Sequence, residues 1–271
     1  MNLPTVGAAM PISALPDYRE WIIADQRDLE LQDAVSAEIL DGDWRGRAQQ
    51  ARALLAGYSG RLGIHGPFDG LSLLSRDPRM RALVSERMCT ALEFAAELGA
   101  THMVVHSPWL FFGHPQVAHA PGQRRDEEFA LIHDTLAAPL ARAVAIGCTL
   151  VIENIVDTNP APLLALVESF GSDHVRMSLD TGHAFLTNRI GGPPPDQWVR
   201  AAGRLLGHVH LQDNDANLDR HWAPGDGGIN WYALFDALGE LSHTPRLILE
   251  IREKAGIARA AAWLAARGLA R

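Results

Sequence analysis

Three carboxylates of this 271-residue chain close short apolar runs: Leu150-Val151-Ile152-Glu153, Met177-Ser178-Leu179-Asp180 and Leu247-Ile248-Leu249-Glu250. A fourth run, Gly207-His208-Val209-His210-Leu211, carries two imidazoles that strand alternation puts on one face, with His210 nearer the end. Three negative side chains and an imidazole sent to one point repel one another unless a cation lies among them. Oxygen-rich donors with a single imidazole suit hard or borderline divalent ions, so Mn2+, Zn2+, Mg2+ and Co2+ all fit. Any one of these carboxylates could instead be a strand-end charge paired with an arginine or lysine; four such groups together are harder to explain that way. Further imidazoles end other runs: His65 in Leu62-Gly63-Ile64-His65 and His106 in Met103-Val104-Val105-His106. His183 follows Asp180 by three residues, and Asp219-Arg220-His221 lies in the loop after His210. In a one-ion enzyme His65 and His106 are as readily buried histidines that shape a pocket. His102, His114, His119, His133, His174 and His243 end no expected strand and are read as surface or packing residues.

For strand-end groups to meet, the strands must be parallel and neighbours in one sheet. Eight candidates occur, near Thr5–Ala8, Leu29–Asp33, Leu62–His65, Met103–His106, Leu150–Glu153, Arg176–Asp180, Gly207–Leu211 and Leu247–Ile251. Between them run Ala- and Leu-rich stretches of helical period, at Trp44–Gly57, Arg79–Leu98, Asp126–Ile146, Pro160–Phe170, Trp231–Leu241 and Ala255–Arg267. Eight such units with right-handed crossovers close into a (β/α)8 TIM barrel, an α/β fold expected here as one domain over residues 1–271. A doubly wound sheet would carry a glycine-rich phosphate loop after its first strand, where this chain has Gly7-Ala8-Ala9-Met10-Pro11. Gly191-Gly192-Pro193-Pro194-Pro195 reads as a loop rather than a domain boundary.

Hydrophobic residues are 47% and charged residues 21%, an ordinary globular composition. The net charge of −8 makes nucleic acid an unfavoured partner, although a local basic patch could still form. With two cysteines, no basic leader and no apolar run of membrane-spanning length, a reducing cytoplasm and no membrane partner are expected. A homo-oligomer is left open.

The chain resembles the xylose isomerase-like barrel superfamily, which includes sugar isomerases and epimerases and the endonuclease IV type of abasic-site nuclease. The likeness rests on His65-Gly66-Pro67-Phe68, Val105-His106-Ser107, Ile152-Glu153-Asn154, Asp180-Thr181-Gly182-His183-Ala184, His210-Leu211-Gln212-Asp213-Asn214, Asp219-Arg220-His221, Pro224-Gly225-Asp226-Gly227 and Leu249-Glu250, in that order. For the sugar enzymes it implies one metal on Glu153, Asp180, His210 and Glu250, with the two glutamates also acting as acid and base. For the nucleases it implies a second ion shared between Glu153, His65 and His106, and a third on His183, Asp219 and His221.

Two chemistries follow. In the first, a metal chelated by adjacent oxygens of a carbohydrate acidifies the C–H between them, Glu153 and Glu250 transfer the proton, and His183 and Arg220 orient the substrate. In the second, two or three ions hydrolyse a phosphodiester, which needs a basic surface that Arg76, Arg79, Arg81, Arg124 and Arg125 could supply and a wedge such as Phe68 or Trp109. The acidic balance and the Asp219–Trp231 loop favour the first, with one ion rather than three; a third possibility is a non-catalytic or oxidative multi-metal member using the same pocket for a peptide or other small molecule. Trp109, Phe111, Phe112, Trp222 and Trp231 are read as a substrate wall or as a lid or dimer contact near the barrel mouth.

Overall fold

The computed structural model describes residues 3–109 and 123–271. Strands β1 (Gly7–Met10), β2 (Leu29–Leu31), β3 (Leu62–His65), β4 (His102–His106), β5 (Thr149–Glu153), β6 (Val175–Asp180), β7 (Leu206–Leu211) and β8 (Arg246–Leu249) pair in parallel in chain order, and β8 returns to β1. The expected (β/α)8 barrel is the fold found. Its outer ring is α1 (Leu15–Ala24), α2 (Ala37–Asp41), α3 (Trp44–Leu54), α4 (Pro78–Leu98), α5 (Gln123–Ile146), α6 (Pro160–Ser169), α7 (Thr181–Asn188), α8 (Pro195–Ala202), α9 (Trp231–Gly239) and α10 (Ile257–Ala266). Phe111, Phe112, His114 and His119 lie outside the described residues, as does the side chain of Arg124.

The first strand is displaced from the expected Thr5–Ala8 to Gly7–Met10. Gly-Ala-Ala is a poor strand sequence by propensity, but β1 approaches β2 too closely for anything larger: a Cβ on Gly7 would stand 1.8 Å from the Asp28 carbonyl oxygen. The triple proline ends its loop at Pro195, which opens α8 in the first-turn position where a missing N–H costs nothing. Helix α5 is, among the described residues, the one helix long and apolar enough to cross a membrane by length and composition. Of its residues, Ile132, Leu136 and Ala143 are buried in the shell between barrel and helices.

Two backbone features tune the mouth. The β6–β7 pairing shifts register at Met177/Ser178, and beyond the shift Asp180 sits opposite His210. On β4 and β5, His106 likewise sits opposite Glu153. Beneath the mouth the barrel interior is polar, filled by Glu30, His102, Ser178 and His208, all fully or almost fully buried. Gly63 makes this possible, since a Cβ there would lie 1.8 Å from the His102 ring.

Candidate metal centre

Asp180 ends β6 and caps α7. Its Oδ1 accepts from the His183 backbone N–H at 2.7 Å and from Gln212 Nε2 at 3.1 Å. The three-residue spacing therefore has a structural cause: one helical turn brings the His183 ring back beside the capping carboxylate, Nδ1 lying 3.7 Å from Asp180 Oδ1 and 3.5 Å from Glu153 Oε1. At the end of β7, His210 Nδ1 lies 3.3 Å from Glu153 Oε1 and 3.3 Å from Glu250 Oε2. Ligand atoms of Glu153, Asp180, His210 and Glu250 all fall within 4.8 Å of one another, and all four residues are buried.

Three further groups are gathered as closely: His65, His106 and Glu153 on one flank, His183, Asp219 and His221 on the other, and Glu30, His208 and His210 deeper in the barrel. His65 Nδ1–H donates to the Gly66 carbonyl at 2.9 Å, which turns Nε2 toward Glu153. Phe68 stacks on the His106 ring with centroids 4.1 Å apart. His221 has φ of +49°, an uncommon conformation for a residue with a side chain, and so delivers Nε2 to within 3.0 Å of Asp219 Oδ2. The loop holding this pair is organised by Asp213, whose carboxylate accepts from the backbone N–H groups of Asn214, Gly225 and Ile229 and from Trp231 Nε1. The Gln-Asp-Asn and Pro-Gly-Asp-Gly motifs therefore build the scaffold of the site rather than its chemistry.

The electrostatics are those of opposite charges packed together and buried. Burial pushes the Glu153 carboxyl up, but His210, His183 and His106 outweigh it and hold it well below the usual carboxylate range. Asp180 is pushed up to about 6, by burial first, with the charges of Glu153 and Glu250 adding to it and His183 and His221 opposing. His210 and His183 stay well above the ordinary imidazole value because their carboxylate neighbours overcome burial, and His221 reaches about 9 for the same reason. His106, with fewer carboxylates near it, is driven by burial down to about 3. Glu153 Oε2, Asp180 Oδ2 and His210 Nδ1 are buried without a hydrogen-bond partner. Orphaned acceptors and an imidazole nitrogen facing one point are what a bound cation would satisfy, so the residues fit a divalent metal.

One participant is invisible to the strand-end argument. Glu30, in the middle of β2, accepts from His210 Nε2 at 3.0 Å and from His102 Nε2 at 3.4 Å, with His208 Nε2 at 3.1 Å. Holding the Nε2 proton of His210 leaves Nδ1 to face Glu153 and Glu250. The other oxygen of Glu250 is also held, by Gln32 Nε2 at 2.9 Å, and the Gln32 side-chain oxygen accepts from Lys254 Nζ at 3.1 Å.

Some expected contributors lie elsewhere. Arg220 is carried away from the ligand groups, with its guanidinium pairing with Asp215 at 3.0 Å over the Trp222 ring. Trp231 is 2% exposed and bonded to Asp213, a core residue rather than a substrate wall. Arg81 pairs with Asp134 at 2.8 Å and with loop carbonyls, and so lends no charge to the mouth.

Set beside known proteins, the chain belongs to the xylose isomerase-like TIM barrel family, whose model matches residues 28–267. The uncharacterised protein MJ1311 of Methanocaldococcus jannaschii is 26% identical over 71% of this chain and 65% of its own length. A D-psicose 3-epimerase of Agrobacterium fabrum is 31% identical over 38% of this chain and 33% of its own length, so the chain matches less than two thirds of either relative. Among solved structures, the TTHB071 protein of Thermus thermophilus, soaked with ZnCl2, superposes with a TM-score of 0.70 at 28% identity, covering 96% of this chain and 98% of that one. A D-tagatose 3-epimerase-like protein shares the fold with a TM-score of 0.76 at 23% identity, covering 97% and 96%.

Proposed function

We propose that the protein is a divalent-metal-dependent isomerase or epimerase acting on a sugar or sugar-derived small molecule, with Glu153 and Glu250 moving the proton. The observation that supports this is the buried convergence of Glu153, Asp180, His210 and Glu250 with three of their polar atoms unpartnered. A divalent ion held by these four supplies Lewis acidity toward adjacent substrate oxygens. The glutamates approach His210 Nδ1 from the end of β5 and from just beyond β8, so one can take a proton from one face of a substrate carbon while the other returns it to the opposite face. Gln32 fixes the orientation of Glu250, and His183 is placed to orient a substrate oxygen. The D-psicose 3-epimerase relative supports a carbohydrate as the substrate class.

The two flanking triads favour a second reading, in which two ions sharing Glu153, with a third on His183, Asp219 and His221, hydrolyse a phosphodiester. The net charge of −8 and the pairing of Arg81 weigh against a nucleic-acid surface. The two are separated by incubating Mn2+-loaded protein with a panel of ketohexoses in D2O and following deuterium at the carbon beside the carbonyl by NMR. Exchange that falls at least 100-fold in both Glu153→Gln and Glu250→Gln is expected. Exchange that persists in Glu153→Gln contradicts the acid/base assignment, and cleavage of an abasic duplex without any exchange establishes the second reading.

A further inference from the structure

The loops after β5, β6 and β7 line a second, open cavity of about 480 Å3 beside the cavity of about 400 Å3 that holds Glu153 and Glu250, and the two share Ile155, His183 and Asp219 as lining residues. The characters of the two are opposite. The ligand cavity is lined mainly by ionisable side chains, whereas its neighbour is walled by Ile155, Val156, Leu186, Ile190 and Leu218. Leu218 is 56% exposed and Ile190 43%, although covering such side chains is favourable. Nor is the wall a frayed loop. Asp215 Oδ1 accepts from the backbone N–H groups of Asn217 and Leu218 at 3.0 and 3.3 Å, and the Arg189 guanidinium ties the end of α7 to Ala216 and Asn217. The polar groups at the rim thus serve one another and leave an aliphatic face preformed and open.

We propose that this cavity takes the apolar part of a two-part substrate whose oxygen-bearing head lies among the metal ligands: a polyol derivative carrying an aliphatic or aryl substituent, of which a free sugar is the truncated form. A ligand reaching through the shared wall of Ile155, His183 and Asp219 fills both volumes, and their separate chemistries sort its two ends. The placement of the head rests on the metal-centre reading above, and the placement of the tail does not.

Alkyl hydroxamates of different length test the two ends separately, because the hydroxamate is a metal-chelating head and the chain is a variable tail. By calorimetry on zinc-loaded protein, octanohydroxamate is expected to bind at least tenfold more tightly than acetohydroxamate. Leu218→Asp and Ile190→Asp are expected to erase that gain while leaving acetohydroxamate unchanged. No gain with chain length, or a gain that survives both substitutions, overturns the proposal. So does a Leu218→Asp variant that changes only the sedimentation of the protein, which would make the face a contact between copies of the chain. If acetohydroxamate does not bind, the metal reading has failed, and the tail site is judged on metal-free protein with the apolar dye 1-anilinonaphthalene-8-sulfonate. Dye binding lost in Leu218→Asp upholds the cavity, and dye binding unaffected by that substitution overturns it.

Discussion

Glu30 shows how one side chain can govern a site it does not enter. Burial pushes its carboxyl up, but His210 with His102 and His208 holds it well below the usual range, so it stays an acceptor inside the barrel. Removing the acceptor frees the His210 ring to change tautomer or rotate, and second-layer losses of this kind cost about 10–100-fold in metal affinity. Glu30→Ala is expected to weaken Zn2+ binding by that factor in calorimetry, with Glu30→Gln in between because its carbonyl can still accept from Nε2; equal affinities in all three proteins would remove Glu30 from the account. Asp157 makes a different prediction. Burial pushes it up to about 6, against hydrogen bonds from Ser107 and the Ile155 N–H. A group whose folded value exceeds its unfolded one gives its full stabilisation below the unfolded value near 4 and loses it as pH rises through 6, here on the order of 3 kcal/mol. The stability gap between wild type and Asp157→Asn, measured by urea unfolding, should therefore move in favour of the variant between pH 4 and pH 7. A constant gap would contradict the shift.

At the scale of elements, each candidate ligand is set by something local. The β6–β7 register shift aligns Asp180 with His210, the first turn of α7 returns His183 to Asp180, and Asp213 folds the loop that carries Asp219 and His221. Asp213→Ala strands three backbone N–H groups and one indole N–H, and at roughly 1–3 kcal/mol per buried unpaired group it is expected to destabilise the protein by several kcal/mol. Urea unfolding checks this, and a stability unchanged within about 0.5 kcal/mol would contradict the role of Asp213. The carboxylates at strand ends were legible because an apolar run closing in Glu or Asp marks the barrel mouth whatever the helices do. Glu30 was not, because Leu29-Glu30-Leu31 has the same alternation as a half-solvated strand, and only barrel closure decides that its polar face points inward at His102, His208 and His210. Trp231 misled for the related reason that composition places an aromatic in a loop without saying that Asp213 buries it. Short α7 and α8 were hidden by Gly182 and by the prolines that precede α8.

For the whole molecule, a chain of net charge −8 concentrates buried carboxylates at one end of its barrel, and a bound cation is the cheapest relief of their mutual repulsion. Ligand linkage then ties metal to stability: at a thousandfold excess over Kd, binding adds about 4 kcal/mol, or roughly 10 °C for a domain of this size. Chelation is accordingly expected to lower Tm by about that much, and Asp180→Asn to abolish most of the difference, as read by scanning calorimetry; an identical Tm with and without chelator would contradict the linkage. The most direct test is anomalous diffraction from crystals of Mn2+- or Zn2+-loaded protein. The account predicts an anomalous peak within bonding distance of Glu153, Asp180, His210 and Glu250. Loaded crystals with no peak among those four side chains would contradict it.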